Sequence, residues 1–194
     1  MRSDSLLIVK KGAEVIDLLE AGAAHWITPF VWGAWTEAAA VMFERFHPPT
    51  PPPCACMIHA TGRDEFPAHL IWPKTDERVR ASHRNELNAT EHGAYIIASA
   101  TLGHLDGWRI LARAHHGSGA DLVMLPPGEE NPEAFVRLEV SGIGAGVGTK
   151  ARSALRARLR QKIEQLGEGD LDRPGIAAVV GFELATVLIS EVQK

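Results

Sequence analysis

The chain has 194 residues, 45% hydrophobic and 23% charged, with a net charge of −4 at pH 7. This composition is typical of a globular protein that buries a core, and the acidic balance argues against a wholly basic nucleic-acid binder. The only two cysteines, Cys54 and Cys56, are separated by one residue, which excludes a disulfide framework and common zinc patterns. We therefore expect a reducing, cytoplasmic location.

The N-terminal part of the chain is apolar and rich in tryptophan. We expect residues of about 12–46 to form packed helix, because polar residues interrupt the segment and leave no run of about 20 apolar residues that would predict a membrane span. A polyproline stretch at 47–53 predicts an extended spacer. The sequence thus predicts a helical N-terminal extension over 1–53 and a domain over 54–194, with residues 21–46 as a surface for a protein partner or a second copy of the chain.

Within the domain, a poorly patterned stretch through Pro73 is followed by a long helix that starts near Asp76 and ends at Gly107. Its apolar stripe comprises Leu87, Ala94, Ala98, Leu102 and Leu105. Three strands (108–114, 120–125 and 135–140), a helix over about 150–166 and two β-rich segments (176–180 and 186–190) follow. This order predicts an α/β fold with a mixed central sheet flanked by helices.

Three acidic residues fall at positions where they can meet. Asp121 and Glu139 lie in neighbouring predicted strands, so their carboxylates converge at one edge of the sheet if the strands pair. Oxygen ligands of this kind suit Mg²⁺. Glu91 falls about 40° from Leu87 on a helical projection, inside the apolar stripe, and a buried carboxylate needs a partner.

The helix–strand–strand–strand–helix–strand order resembles the core of the PD-(D/E)XK nuclease superfamily over about residues 76–190. Gly119-Ala120-Asp121 matches the first acidic motif, Glu139-Val140-Ser141 the second, and Glu91 the helix glutamate. The resemblance implies a restriction-endonuclease-like core in which Asp121 and Glu139 bind Mg²⁺ for phosphodiester cleavage.

One departure from this family bears directly on activity. Ser141 stands where the family carries a catalytic lysine, and a serine hydroxyl supplies no positive charge. Arg137 and Lys150 are candidates for a displaced cation. Because arginine stays protonated and cannot act as a base, Lys150 is the better substitute.

The second helix carries a run of basic residues after the acidic motif. Arg152, Arg156 and Arg160 lie away from the apolar side formed by Leu155, Leu159, Ile163 and Leu166, and predict contacts to a nucleic-acid backbone. A solvated basic helix face is the plainer interpretation of the same run.

Three functions remain open from the sequence. A catalytically impaired nuclease-like module that binds nucleic acid or a protein ranks first, because the diagnostic lysine is absent. An active Mg²⁺-dependent nuclease with a displaced cation is the second, and an assembly protein that docks through its N-terminal helices is the third. Structural ion pairs, such as Glu139 with Arg113 or Arg137 and Glu91 with Arg109, would explain the acids without a site.

Overall fold

Short hydrophobic stretches of the sequence become the strands of one eight-stranded mixed sheet. The computed structural model describes residues 14–47, 52–115, 117–145, 149–168 and 173–192. The strands are β1 (Glu14–Asp17), β2 (Cys54–Ala60), β3 (Phe66–Ile71), β4 (Arg109–Arg113), β5 (Leu122–Leu125), β6 (Val136–Ile143), β7 (Gly175–Gly181) and β8 (Thr186–Val192). The helices are α1 (Pro29–Phe46), α2 (Glu77–Ser82), α3 (Glu86–Asp106) and α4 (Thr149–Glu168).

The strand order in the sheet is β1-β3-β2-β8-β7-β6-β5-β4. Strands β4, β5 and β6 form an antiparallel meander, and β7 pairs with β6 in parallel through the α4 crossover. Strand β8 joins this half to β2, β3 and β1. The predicted α/β fold with a mixed central sheet flanked by helices is therefore confirmed, and so is the order of elements from α3 to β7.

Local signals explain where the helices begin and end. Asp76 caps α2 through a hydrogen bond from the Val79 amide at 2.9 Å, and Asn85 caps α3 through one from the Asn88 amide at 3.2 Å. The single long helix predicted from Asp76 is therefore wrong, because the second cap divides it in two. Gly107, with φ of 77°, ends α3 in the left-handed conformation that favours glycine.

The N-terminal segment is part of the same sheet and core. Residues 14–17, expected to be helical, form β1 and pair in parallel with β3, whereas the helix expected nearby is present as α1. Trp32 and Trp35 of α1 are buried in one core with residues of α3 and of the central strands. Residues on both sides of Pro53 thus share a hydrophobic core, and we expect removal of residues 1–53 to expose the core face of α3.

The two faces of the sheet carry different helices. A Cβ placed on Gly142 of β6 would lie 2.4 Å from the Thr90 carbonyl oxygen of α3, so α3 packs closely on one face. A Cβ on Gly181 of β7 would lie 2.8 Å from Leu155 of α4, which packs on the other face across β6, β7 and β8. Among the described residues, no helix has the length and apolar character needed to cross a bilayer.

Candidate active site

Asp121 and Glu139 lie next to each other on neighbouring strands. Asp121 immediately precedes β5, and its backbone amide donates to the Leu138 carbonyl at 3.0 Å. Its carboxylate in turn accepts a hydrogen bond from the Val140 amide at 2.8 Å. Because Val140 follows Glu139 in β6, this bond fixes the Asp121 carboxylate beside Glu139, which is the convergence that the sequence predicted.

Tyr95 of α3 connects the third acid to this pair. Its hydroxyl oxygen is hydrogen-bonded to Oε1 of Glu91 and lies 3.1 Å from Oδ1 of Asp121. A tyrosine has one hydroxyl hydrogen, so the two carboxylates share a single donor. Burial, the hydrogen bond to Glu91 and the charge of Asp121 all raise the pKa of Tyr95 above its ordinary value, which keeps the hydroxyl protonated.

The environment of Glu91 differs from the expectation. Leu87, the origin of the proposed stripe, is 76% exposed, and Glu91 is exposed as well. The other predicted stripe residues Ala94, Ala98 and Leu102 are buried, so the stripe is confirmed except at its start. Glu91 therefore lies at the solvent-facing rim of the site, and its partner is Tyr95 rather than Arg109.

Glu139 is the buried carboxylate of the cluster, with only 2% of the residue exposed. Burial raises the pKa of Glu139 to about 7, the negative charge of Asp121 adds to the increase, and the Lys162 ammonium group opposes it. Desolvation outweighs the ion pair because the carboxylate lies under α4, away from water. A second cation beside these acids would favour the ionised form of Glu139.

The cation at the site is Lys162 of α4. Its ammonium group forms an ion pair with Oε1 of Glu139 and lies 3.2 Å from Oε1 of Gln165. Lys150, the predicted substitute, is exposed and precedes Lys162 by twelve residues, or about 18 Å of helix. The expectation that Lys150 serves the site is therefore corrected.

The sequence contained a signal for Lys162. Leu155, Leu159, Lys162 and Leu166 follow helical spacing of four, three and four residues, so the lysine lies within the apolar stripe of α4. A lysine at such a position needs an acidic partner, and the strand beneath it carries Glu139.

Arg137 lies on the same strand as Glu139 and has a structural role. It is 1% exposed, and its guanidinium donates to the carbonyl oxygens of Leu166 and Arg173, both at 2.9 Å. The C-terminal turn of α4 is thereby held against β6, at the end of the helix where a cation is favourable. Arg137 thus positions the helix that carries Lys162.

The acidic cluster opens into a cavity of about 600 Å³. Residues from α3, β4, the loop before β5, β6 and α4 line it: Glu91, Tyr95, Arg113, Ala114, His115, Gly117, Gly119, Ala120, Asp121, Glu139 and Gln165. The guanidinium of Arg113 lies 5.7 Å from the centre of the Tyr95 ring. The cavity therefore combines acidic groups with a permanently charged arginine and the nearby Lys162.

The arginines predicted to bind nucleic acid lie elsewhere. Arg152 and Arg156 line a different cavity, between α4 and strands β2 and β8, and Arg160 is exposed one turn further along the helix. Helix α4 thus separates these arginines from the carboxylates. In residues 21–46, Trp32 and Trp35 are buried, and the large hydrophobic side chains that are exposed in the proposed docking segment are Trp26, Phe30 and Val31.

The donor set limits what metal the site can hold. Within the described parts of the chain, no group of three or more His, Cys, Asp and Glu side chains is arranged to bind a metal ion. Two carboxylates, Asp121 and Glu139, are adjacent, and Mg²⁺ is commonly bound by one or two carboxylates with water and substrate phosphate completing the shell. The oxygen donors therefore fit Mg²⁺ rather than a softer metal.

Comparison with known proteins leaves the site to be interpreted from its own chemistry. The chain matches no protein-family model, no curated protein and no solved structure.

Proposed function

We propose that this protein is a Mg²⁺-dependent phosphodiesterase acting on nucleic acid, with Lys162 as its displaced cation. The observation that carries the proposal is the ion pair between Lys162 and the buried Glu139, beside Asp121. An active enzyme is thereby favoured over the impaired module that the sequence ranked first, because the positive charge missing at Ser141 is supplied from α4.

The topology supports the same proposal. The succession α3, β4, β5, β6, α4 and β7, with an antiparallel meander followed by a parallel crossover, agrees with the order on which the PD-(D/E)XK resemblance rests. The acids expected from that resemblance also line one cavity.

Asp121 and Glu139 would hold the metal ion, since they are the adjacent carboxylates of the cavity. When bound, Mg²⁺ polarises a phosphoryl oxygen and lowers the pKa of a water molecule. Each carboxylate keeps unused lone pairs, because an ionised carboxyl group offers about four acceptor sites.

Lys162 and Arg113 supply the positive charge that the chain itself contributes. Glu139 and Gln165 accept two of the three N–H bonds of the Lys162 ammonium, and the third, which has no acceptor among the described residues, would orient the attacking water or a phosphate oxygen. Arg113 stabilises negative charge on the phosphate, as a group that stays protonated throughout. Hydrolysis then forms a bond from the water oxygen to phosphorus and breaks the bond to the leaving sugar oxygen. The proton lost by the water passes to solvent, and solvent supplies the proton that the leaving oxygen takes up.

The proposal is tested with end-labelled single-stranded and duplex oligonucleotides in Mg²⁺, Mn²⁺ and EDTA. We expect metal-dependent cleavage that falls by about two to three orders of magnitude in Asp121→Asn and in Glu139→Gln. Glu133→Gln, an exposed acid outside the cavity, is the matched control. Cleavage that persists in EDTA or in both site variants would contradict the proposal.

One observation favours a second function, nucleic-acid binding without cleavage. One oxygen of Asp121 accepts a hydrogen bond from the Val140 amide and the other lies 3.1 Å from the Tyr95 hydroxyl, so the cluster has internal partners without a metal. Such a module would bind oligonucleotides in a salt-sensitive way, form no product, and keep its affinity in Asp121→Asn and Glu139→Gln. These outcomes separate it from the enzyme.

A further inference from the structure

The two halves of the sheet differ in how they are covered. Strands β6 and β7 are largely buried on both faces, because α3 and α4 pack on opposite sides. In β2, by contrast, burial alternates along the strand, and Met57 is 37% exposed. Val15 of β1 is 42% exposed on the same half. On the face of the sheet that exposes Met57, α4 is the only helix among the described residues, and it covers β6, β7 and β8.

A groove lies beside α4, next to the strands that this helix leaves uncovered. It has a volume of about 600 Å³ and is bounded by α4 on one side and by β2 and β8 below. Its lining is mixed: aliphatic side chains from β2, α4, the turn before β8 and β8 lie beside polar and charged residues, and the aliphatic ones are Met57, Leu155, Leu159, Leu184 and Leu188. Such a lining favours an amphipathic surface as its occupant, because burial of apolar area is the main source of affinity and the polar groups need polar partners.

The charge along the α4 side of the groove is positive. Arg152 and Arg156 are exposed at its rim, four residues apart, which is about 6 Å along the helix. Neither forms an ion pair within the described parts of the chain. Of the other ionisable groups of the lining, Arg63 is paired with Asp106, and Oε1 of Glu65 lies 3.1 Å from Nδ1 of His59. Arg152 and Arg156 are therefore the arginines of the groove that have no acidic partner among the described residues.

We propose that this groove binds an amphipathic, acidic helix of a protein partner. The apolar face of that helix would lie on the exposed side of β2 and β8 next to α4, and acidic residues one turn apart would meet Arg152 and Arg156. A helix suits the position because it would extend the layer that α4 begins. A strand would require a free sheet edge, and the edges are β1 and β4, whereas β2 and β8 are interior.

Nucleic acid is the less suitable occupant of this groove. Single strands are usually bound by positive surfaces that also present aromatic rings on which bases stack. The lining contains no phenylalanine, tyrosine or tryptophan. The arginines assigned to nucleic acid from sequence are therefore reassigned to protein binding, independently of the reaction proposed for the carboxylate cavity.

The test uses three probes in metal-free buffer, measured by fluorescence anisotropy. The first is a synthetic helical peptide of about 18 residues with leucines on one face and glutamates beside them, long enough to span most of α4. The second replaces the glutamates by lysines, and the third is an oligothymidylate of about 20 nucleotides. We expect the wild type to bind the glutamate peptide at least tenfold more tightly than the lysine peptide, and R152E/R156E to reverse that preference.

Two matched variants sharpen the result. Lys150→Glu/Arg158→Glu makes the same change in net charge on α4 outside the groove and should leave the preference unchanged, whereas Leu159→Gln should weaken binding of both peptides. Equal binding of the two peptides by the wild type, or no binding of either, overturns the proposal. So does oligothymidylate binding that R152E/R156E abolishes, or a dimer in sedimentation that the same variant dissociates, because each assigns the groove to another occupant.

Discussion

The two flanks of α4 hold positive charge in opposite ways. On the flank facing β6, Lys162 lies over the buried Glu139 and is held by that acid and by Gln165. On the flank facing β8, Arg152 and Arg156 are exposed above an aliphatic groove and form no ion pair among the described residues. A buried charge is tolerated only with a partner, whereas an exposed one is free to meet a ligand. The first flank is therefore a preorganised site, and the second is a surface for recognition.

This difference corrects the interpretation of the helix as one basic face. A lysine and an arginine look alike in a charge count, but their burial separates them. Lys162 is partly buried over Glu139, whereas Arg152 and Arg156 are exposed. Variants that alter one flank at a time test this difference.

The largest effect is expected from Lys162→Met. Removing the ammonium group leaves Glu139 without its cation and takes away a donor to the phosphate, so we expect the cleavage rate to fall about a thousandfold. Lys150→Met, on the same helix but distant from Glu139, should stay within about twofold of wild type. Comparable losses in the two variants, measured with labelled oligonucleotides, would show that position on α4 does not matter.

The next largest effect is a dependence of the protein's stability on pH, which arises from Glu139 on the buried flank. Because the folded protein raises the pKa of Glu139 from 4.5 to about 7, the folded state binds this proton more tightly than the unfolded state. The resulting stabilisation of the folded state is complete below about pH 4.5 and is lost as the pH rises through 7. Its size is on the order of 3 kcal/mol. Urea unfolding at several pH values in metal-free buffer measures it.

Glu139→Gln is the control for that pH dependence. This substitution should flatten the decline of the free energy of unfolding between about pH 4.5 and 7, because the amide does not titrate. R152E/R156E should retain the wild-type slope, since the altered side chains lie on the other flank. A slope unchanged by Glu139→Gln would assign the dependence to another group.

A smaller effect is expected from Tyr95→Phe. The substitution keeps the edge-to-face packing on Trp35, at 5.3 Å between ring centres, and removes the hydrogen bond to Glu91 and the contact with Asp121. Loss of a hydrogen bond to a charged group predicts a decrease of about 1.5 kcal/mol in the free energy of unfolding. In a double-mutant cycle with Asp121→Asn the two effects should be non-additive; additivity within about 0.3 kcal/mol would mean that the groups do not interact.

The smallest effect is expected on the exposed flank. R152E/R156E should change the free energy of unfolding by no more than about 0.5 kcal/mol, because exposed side chains without ion partners contribute little to stability. Thermal and urea unfolding provide the measurement. A loss of several kcal/mol would show that the arginines support the fold and are not reserved for a ligand.

Much of the C-terminal half could be predicted from sequence because its signals are local. The strands at Leu122–Leu125 and Val136–Ile143 are short apolar runs bounded by turns, and α4 has a clear leucine stripe. The pairing of Asp121 with Glu139 followed from placing neighbouring strands side by side. These patterns depend only on residues within one element or its next neighbour.

The missed features depend on contacts between distant parts of the chain. Strand β1 has only four residues and gains its pairing from β3, more than fifty positions later, so no local pattern marks it. The break between α2 and α3 is an exception, because its signal is local: Asn85 accepts a hydrogen bond from the Asn88 amide and begins a second helix. Tyr95 gave no signal because a tyrosine within a helix is ordinary; its role arises from the acids that the fold brings to its hydroxyl.

The position of β8 has a consequence for how the chain reaches this structure. Residues 186–192 form a strand in the middle of the sheet, between β7 and β2, so they join the N-terminal strands to the C-terminal ones. Because β8 follows the other described strands in the chain, the two halves of the sheet join only when residues 186–192 pair. The groove beside β8 therefore exists only in the joined sheet, so an acidic helix bound there would recognise that state and not either half alone.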